Sequence, residues 1–426
     1  MWKTASLAPF LHILFLIQTD TLLKTILNII ILLVISYSCN EASSKTSVVP
    51  EDSLQYYPPT PKLIDKQEFR RYHRELTAFF DAKLLKRGFN GSILVAKDGA
   101  IIYEKYAGFA DLRKKDPLTD STSLHIASSG KTMTAMAVMR LAQENRLSLD
   151  DSIQKFFPGL EYKGITVRQL LNHRSGLPNY IYFMSEAPEY RDSCITNEDV
   201  LNFLYTKKPN RSYAPDRRFS YSNTNYVLLA LIIERVSGQT FASYMKQHVF
   251  DPLQMTNTYV AGVTELDSLC PSFQHNGAYW ANDMMEGTAG DKNTYSTPRD
   301  LLKWDQALYT SQFLSQVMID SAFQPNSNER PSLHNYGLGW RMLNFPNGKK
   351  VIYHFGRWHG FNAAFARLVD EKVTIVILGN RYNSNIYRVA RKAYDIFGDY
   401  DQNGGNDEEE NDNERVSNML AVKAGN

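Results

Sequence analysis

Cysteine is scarce in this sequence: the three in 426 residues, Cys39, Cys194 and Cys270, are too few for a disulfide framework. No C-x-x-C or H-E-x-x-H spacing occurs, so nothing marks a zinc site, and the reading expects neither metal nor cofactor. An excess of charge of one sign is also missing. Lysine and arginine total 47 against 45 aspartates and glutamates, a net charge of +2, and the basic residues are scattered along the chain. That distribution argues against a nucleic-acid partner. No apolar run is long enough for a comfortable membrane span, and there is no internal repeat. What remains is an ordinary globular balance, 43% hydrophobic and 22% charged, sufficient for a sizeable core.

The first 39 residues read as a signal peptide or membrane anchor. Lys24 precedes the uncharged run Ile26 to Ile35, which has the length of a signal-peptide core. Ser38 precedes Cys39 as in a bacterial lipoprotein cleavage site, although Ser36 and Tyr37 stand where that pattern prefers an aliphatic and a small residue. Lipidation of Cys39, an uncleaved anchor and a simple signal peptide stay open; each implies export to the cell envelope, periplasmic or attached to the membrane. A start codon further downstream would account for the earlier apolar stretch Leu11 to Ile17. Residues 40–64, rich in Ser, Thr and Pro with Pro58, Pro59 and Pro61, read as a flexible tether. Residues 401–426, with the acidic block Asp407 to Glu410, read as a disordered tail.

Between them, residues 65–400 carry the folding pattern. Phe69, Tyr72, Leu76, Phe79 and Phe80 recur at helical spacing. Phe89 to Lys97 and Ile101 to Tyr106, joined by Asp98-Gly99, predict a β-hairpin. From Ser128 to about Gln312 the pattern is mainly helical, with apolar helices at Met133 to Asn145, Asn225 to Val236 and Thr297 to Tyr309. Strand patterns return at Tyr336 to Leu343, Val351 to His354, Asn362 to Val369 and Val373 to Leu378, before a last helix at Ile386 to Phe397. Strands at both ends with helices between predict an α/β fold of α+β type: one antiparallel sheet flanked by helices, plus an all-helical subdomain.

Three short motifs carry chemistry. In S-x-x-K, a lysine one helical turn after a serine lies on the same face and reaches its hydroxyl. Three copies occur, at Ser128/Lys131, Ser152/Lys155 and Ser243/Lys246. Only the first follows an apolar pair, Ile126-Ala127, and opens a long apolar helix, so Lys131 is expected to be buried, where desolvation favours the neutral amine that takes a proton. The helix start also offers the Ser128 N–H to a developing oxyanion. In Y-x-N, found once, Tyr221 can relay a proton beside an ammonium, and Asn223 can offer its amide to the substrate or to Lys131; a turn tyrosine and a capping asparagine are the plainer alternative. In H-x-G, His354-Phe355-Gly356 ends a strand pattern, whereas His275-Asn276-Gly277 sits among turn formers. Gly356 would let backbone approach an acyl group, with the Arg357 N–H as second oxyanion donor. His125, His173 and His359 read as packing or capping residues.

These motifs, in this order, resemble the beta-lactamase-related serine hydrolases, a family that embraces class C beta-lactamases, DD-carboxypeptidases, D-aminopeptidases and carboxylesterases. Phe89-Asn90-Gly91-Ser92, Leu147 to Asp151, Leu170 to Pro178, Tyr336 to Trp340 and Gly360-Phe361 look like further landmarks, and the resemblance runs from about Asp65 to Phe397. It implies the beta-lactamase/transpeptidase-like fold and an acyl-enzyme on Ser128, with Lys131 and Tyr221 sharing acid and base work. Asn223, His354, Gly356 and Arg357 would contact a small-molecule or peptide-like substrate. The family's third motif often places a threonine where Phe355 stands. With His354 neutral and Phe355 apolar, esters and peptide-like amides are expected over carboxylate-bearing beta-lactams or DD-carboxypeptidase substrates, unless Arg357 supplies the missing anchor and Trp358 closes the pocket. Phe355 would then meet an acyl chain. A non-catalytic envelope protein with the same fold is the alternative of another class.

Overall fold

The computed structural model describes residues 59–190 and 194–400. The expected export segment with Cys39, the tether as far as residue 58 and the acidic tail 401–426 lie outside the described residues.

Helix α1 (Lys66–Lys83) starts at Asp65, whose carboxylate accepts the N–H groups of Gln67 and Glu68. Tyr72, Leu76 and Phe80, four residues apart, form its buried stripe. The expected hairpin follows as β1 (Gly91–Lys97) and β2 (Ala100–Ala107). Asp98 at φ +48 and Gly99 at φ +80 both take the left-handed conformation that a two-residue turn of this kind requires.

The other sheet strands come from the far end of the chain: β3 (His334–Tyr336), β4 (Arg341–Asn344), β5 (Lys350–Trp358), β6 (Phe361–Leu368) and β7 (Val373–Gly379). The sheet runs β3-β4-β5-β6-β7-β1-β2, antiparallel throughout. Strand β1 pairs with β7 from Gly91 opposite Gly379 to Lys97 opposite Val373.

One expected strand is in fact two. Tyr336 to Leu343 breaks at a turn in which the Gly337 N–H donates to Trp340 O at 2.8 Å, and Tyr336 faces Arg341 across the two antiparallel arms. The reason is close packing as well as turn geometry. Gly339 has φ +86, and a Cβ there would stand 2.2 Å from Ala135 Cβ.

Three layers result. On one face of the sheet lie α2 (Lys131–Gln143), α3 (Thr224–Ser237) and α4 (Pro298–Ala307); on the other lie α1 and α5 (Asn385–Lys392). Helix α2 is buried from Lys131 to Leu141 without a polar face, because the sheet covers one side and α3 the other. Strand β5 is buried on both faces. Its Val351, Tyr353 and Phe355 enter the core under α1 and α5, and Ile352 enters the core on the α2 side. Each large apolar side chain fully buried in these layers contributes about 1.5–3 kcal/mol.

Candidate active site

Ser128 lies in a single 3-10 turn, Ala127–Gly130, that feeds directly into α2 at Lys131. The turn is anchored before it begins. Ile126 N–H donates to Thr294 O at 2.9 Å, and His125 Nδ1 accepts the Ala127 N–H at 3.0 Å. Ala127 itself has φ +48, a conformation that non-glycine residues seldom adopt and that persists only where neighbours hold it. Lys131 is fully buried. Its Nζ donates to Ser128 Oγ at 3.1 Å and to the backbone oxygen of Asp291 at 2.6 Å. No carboxylate among the described residues lies within 4.0 Å of it, so the amine faces the serine with carbonyl and aromatic groups as its other neighbours.

The aromatic neighbours are Tyr221 and Tyr226, whose ring centroids stand 5.3 and 5.6 Å from Lys131 Nζ. Tyr221 is half-buried just before α3, and Asn223 occupies the N-cap of that helix without capping it through its side chain. The structure therefore brings Ser128, Lys131 and Tyr221 together. Two residues outside the three motifs join them. Tyr336, at the end of β3, has its ring 6.4 Å from that of Tyr221, and the guanidinium of Arg341, at the start of β4, lies 5.2 Å from the Tyr221 ring and 5.8 Å from the Tyr336 ring.

Strand β5 closes the other side. His354 O accepts from Ser129 Oγ at 2.9 Å, and Gly356 lies so close to the serine turn that a Cβ would stand 2.4 Å from Ile126 O and 2.8 Å from Ser128 N. His354 is fully buried, and its pKa is pushed well below 6.5 by burial, with the Arg341 and Lys131 charges adding. Its proton sits on Nδ1, which donates to Phe355 O at 2.8 Å; Nε2 accepts from the Tyr336 hydroxyl at 3.3 Å.

Two expectations change here. Phe355 stacks on Tyr387 at 5.4 Å in the core under α5, and Arg357 shares its face of the strand, with its guanidinium 4.4 Å from the Tyr382 ring. Strand alternation thus turns both side chains away from Ser128, and Phe355 cannot meet an acyl chain there. The cation that does face the cluster is Arg341. Trp358 is buried in the same apolar cluster as Ala127 and Tyr180.

The other motif copies have separate surroundings. Lys155 pairs with Asp151 at 2.7 Å while Ser152 bonds Gln154; Lys246 pairs with Asp251 at 2.6 Å; His275 is exposed in the turn between the short strands Ser272–Phe273 and Tyr279–Trp280. Behind the site, Lys292 is buried with Nζ donating to Met285 O and Thr288 Oγ1, 4.8 Å from the Trp358 ring. Asp283, Glu286 and His359 form one group with metal-ligand atoms, all within 4.8 Å of one another. Both Glu286 oxygens, however, accept from Trp358 Nε1, at 3.0 and 3.1 Å, and His359 Nε2 stands 2.7 Å from one of them. Burial alone would raise Glu286; the His359 contact, with Lys292 behind it, outweighs this and holds the carboxyl at about 2. The group is satisfied as a hydrogen-bonded network.

Comparison with known proteins agrees with this fold. The family model described as beta-lactamase matches residues 76–398. Penicillin-binding protein 4* of Bacillus subtilis (strain 168) is 31% identical over 342 residues, covering 76% of this chain and 75% of the relative. Protein flp of Staphylococcus aureus (strain MW2) is 36% identical over 316 residues; the match covers 68% of this chain and 59% of that longer relative. Among solved structures, the octameric penicillin-binding protein homologue from Pyrococcus abyssi matches with a TM-score of 0.66 at 26% identity, covering 76% of this chain and 77% of the other. D-amino acid amidase from Ochrobactrum anthropi SV3, with a TM-score of 0.62 at 24% identity over 78% of this chain and 97% of its own, shares the fold.

Proposed function

Because the chain belongs to the beta-lactamase family and is a serine hydrolase, we propose that it cleaves peptide-like amides, and esters, whose acyl or leaving group carries a carboxylate read by Arg341. The observation that carries this reading is the 3.1 Å contact between Lys131 Nζ and Ser128 Oγ, with Tyr221 beside the amine.

In the reaction, Ser128 Oγ attacks the carbonyl carbon while its proton passes to the Lys131 amine. The Ser128 N–H and the Arg357 N–H of β5, brought close by Gly356, are the donors for the oxyanion. The bond to the leaving nitrogen or oxygen then breaks, and Tyr221 with Lys131 delivers the proton to it. Water attacks the acyl carbon and gives its proton to the same pair; the bond to Ser128 Oγ then breaks, the pair returns the proton to Oγ, and the acid leaves. Asn223 orients the substrate amide. His354, neutral and bonded to Tyr336, sets the wall beside Arg341 and contributes no charge.

Arg341 alters the substrate preference that the sequence suggested. A buried carboxylate is costly unless it is paired, and a guanidinium pairs it with two parallel hydrogen bonds. Labelling by a fluorophosphonate, with the adduct located by mass spectrometry, is expected on Ser128 and not on Ser152 or Ser243. Turnover of a D-amino-acid dipeptide, a cephalosporin and p-nitrophenyl acetate should then be compared between wild type and Arg341→Ala. The expected result is a rise in KM of about tenfold or more for the two carboxylate-bearing substrates, with the neutral ester within about twofold. Equal effects on all three would remove Arg341 from substrate recognition.

Export of the domain, through residues 1–39 with Cys39 as lipid attachment point, is part of the same proposal. A mature N-terminus other than a lipidated Cys39 by mass spectrometry would refute the lipid attachment.

A further inference from the structure

Tyr221 is held by a residue with no part in the proton transfer. His173 follows the short helix Val167–Leu171 and is fully buried. Its backbone carbonyl accepts the Ser220 N–H at 2.9 Å, and its ring Nδ1 accepts the Ser222 N–H at 3.2 Å. One residue thus fastens the chain on both sides of Tyr221. The imidazole also lies against the Tyr221 ring, with centroids 4.2 Å apart and planes 34° from parallel.

The neighbours determine where the ring carries its proton. Leu177 N–H donates to Ser175 Oγ at 3.1 Å, which leaves the Ser175 hydroxyl proton for Asn225 Oδ1 at 2.6 Å. The Asn225 amide therefore turns its Nδ2–H towards His173 Nδ1, 3.0 Å away. Nδ1 receives two donors and holds no proton, so the proton is on Nε2, which finds no acceptor among the described residues. Burial, with the Lys131 and Arg341 charges adding, keeps the ring neutral.

A buried donor without a partner is unfavourable, and an apolar side chain of similar bulk would avoid it. What the imidazole adds over such a side chain is the Nδ1 acceptor. We propose that His173 is a positioning residue for Tyr221: Nδ1, oriented by the Leu177–Ser175–Asn225 relay, sets the backbone at Ser222 and hence the place of the phenol beside Lys131. This rests on the reading of Tyr221 as a proton-handling group.

Two substitutions separate the acceptor from the ring. His173→Asn puts Oδ1 where Nδ1 stood and tolerates the φ of +55 found here, whereas His173→Phe keeps a ring against Tyr221 and removes the acceptor. Acylation by p-nitrophenyl acetate would be measured for both, in the wild type and in Tyr221→Phe. His173→Phe is expected to lower kcat about 100-fold, the scale of a misplacement near 1 Å, with KM within about threefold. His173→Asn should stay within about fivefold of the wild type. In Tyr221→Phe, adding His173→Phe should cost less than about threefold more, because its effect passes through the missing phenol. Wild-type kcat in His173→Phe, or losses that multiply with those of Tyr221→Phe, would overturn the inference. Wild-type activity of Tyr221→Phe alone would instead remove the reading beneath it. If His173→Phe does not fold by circular dichroism, Asn225→Leu takes its place, with a loss of about tenfold expected in the wild type and none in Tyr221→Phe; multiplying losses would again overturn the inference.

Discussion

The Lys131 amine has one bond to a serine hydroxyl, one to a backbone carbonyl and two phenol rings about 5–6 Å away, with no carboxylate of the described residues paired to it. Any proton it takes from Ser128 is shared with what surrounds it, and Tyr221 is the half-exposed member of that surround. Acylation rates for Lys131→Ala, Tyr221→Phe and the double variant are accordingly expected to be non-additive, the double variant losing little more than the worse single one. Multiplying losses would show two independent groups. The three residues, which the structure brings together, were legible in the sequence through the order of the three motifs and its resemblance to a known family, since each motif alone is weak. Arg341 was not. Strand β5 is buried on both faces, so its composition does not alternate and nothing in the sequence says which way Arg357 points. His173 was read as packing or capping, and its bonds to Ser222 and Asn225 depend on neighbours about fifty positions away.

At the level of elements, the site is a joint between the serine turn and β5, and the joint closes only because residue 356 lacks a side chain. Gly356→Ala should push the strand from the turn, since the new methyl would meet backbone atoms that cannot rotate aside. We expect a stability loss of about 1–3 kcal/mol by urea unfolding and a larger proportional loss in acylation rate. Unchanged kinetics in a folded Gly356→Ala would separate the strand from oxyanion binding. The long helices and the central strands were legible from their periodicity, within a few residues at each end. The β3–β4 break was not, because Tyr336, Leu338 and Trp340 are all buried and the apolar pattern runs through the turn. The two glycines there mark it only once Ala135 is seen to press against Gly339.

Across the whole molecule, His125, His173 and His354 are buried and neutral, and burial holds all three below the ordinary 6.5, His125 at about 4. Unfolding frees them to bind protons between those values and 6.5, so the unfolded state holds more protons there and stability rises with pH across that window. The contribution is complete above about pH 6.5 and is lost as pH falls towards 4, by up to about 1.4 kcal/mol per pH unit for each histidine. Unfolding midpoints in urea at pH 7.5, 6.5 and 5.5 should fall in that order; a flat profile would mean that the imidazoles are protonated or solvated in the folded protein. His125 adds a local effect, since protonating its Nδ1 would remove the acceptor for Ala127 N–H beside the nucleophile. The pairing of β1 with β7 bears on the order of events during synthesis. Strand β1 leaves the ribosome early, yet its neighbour on the β7 side is made only when Val373 to Gly379 emerge. Until then the centre of the sheet has an open edge, and β1 must wait for a partner made almost three hundred residues later. A nascent chain arrested before residue 373 should be digested by protease throughout β1, and one released beyond residue 400 should resist.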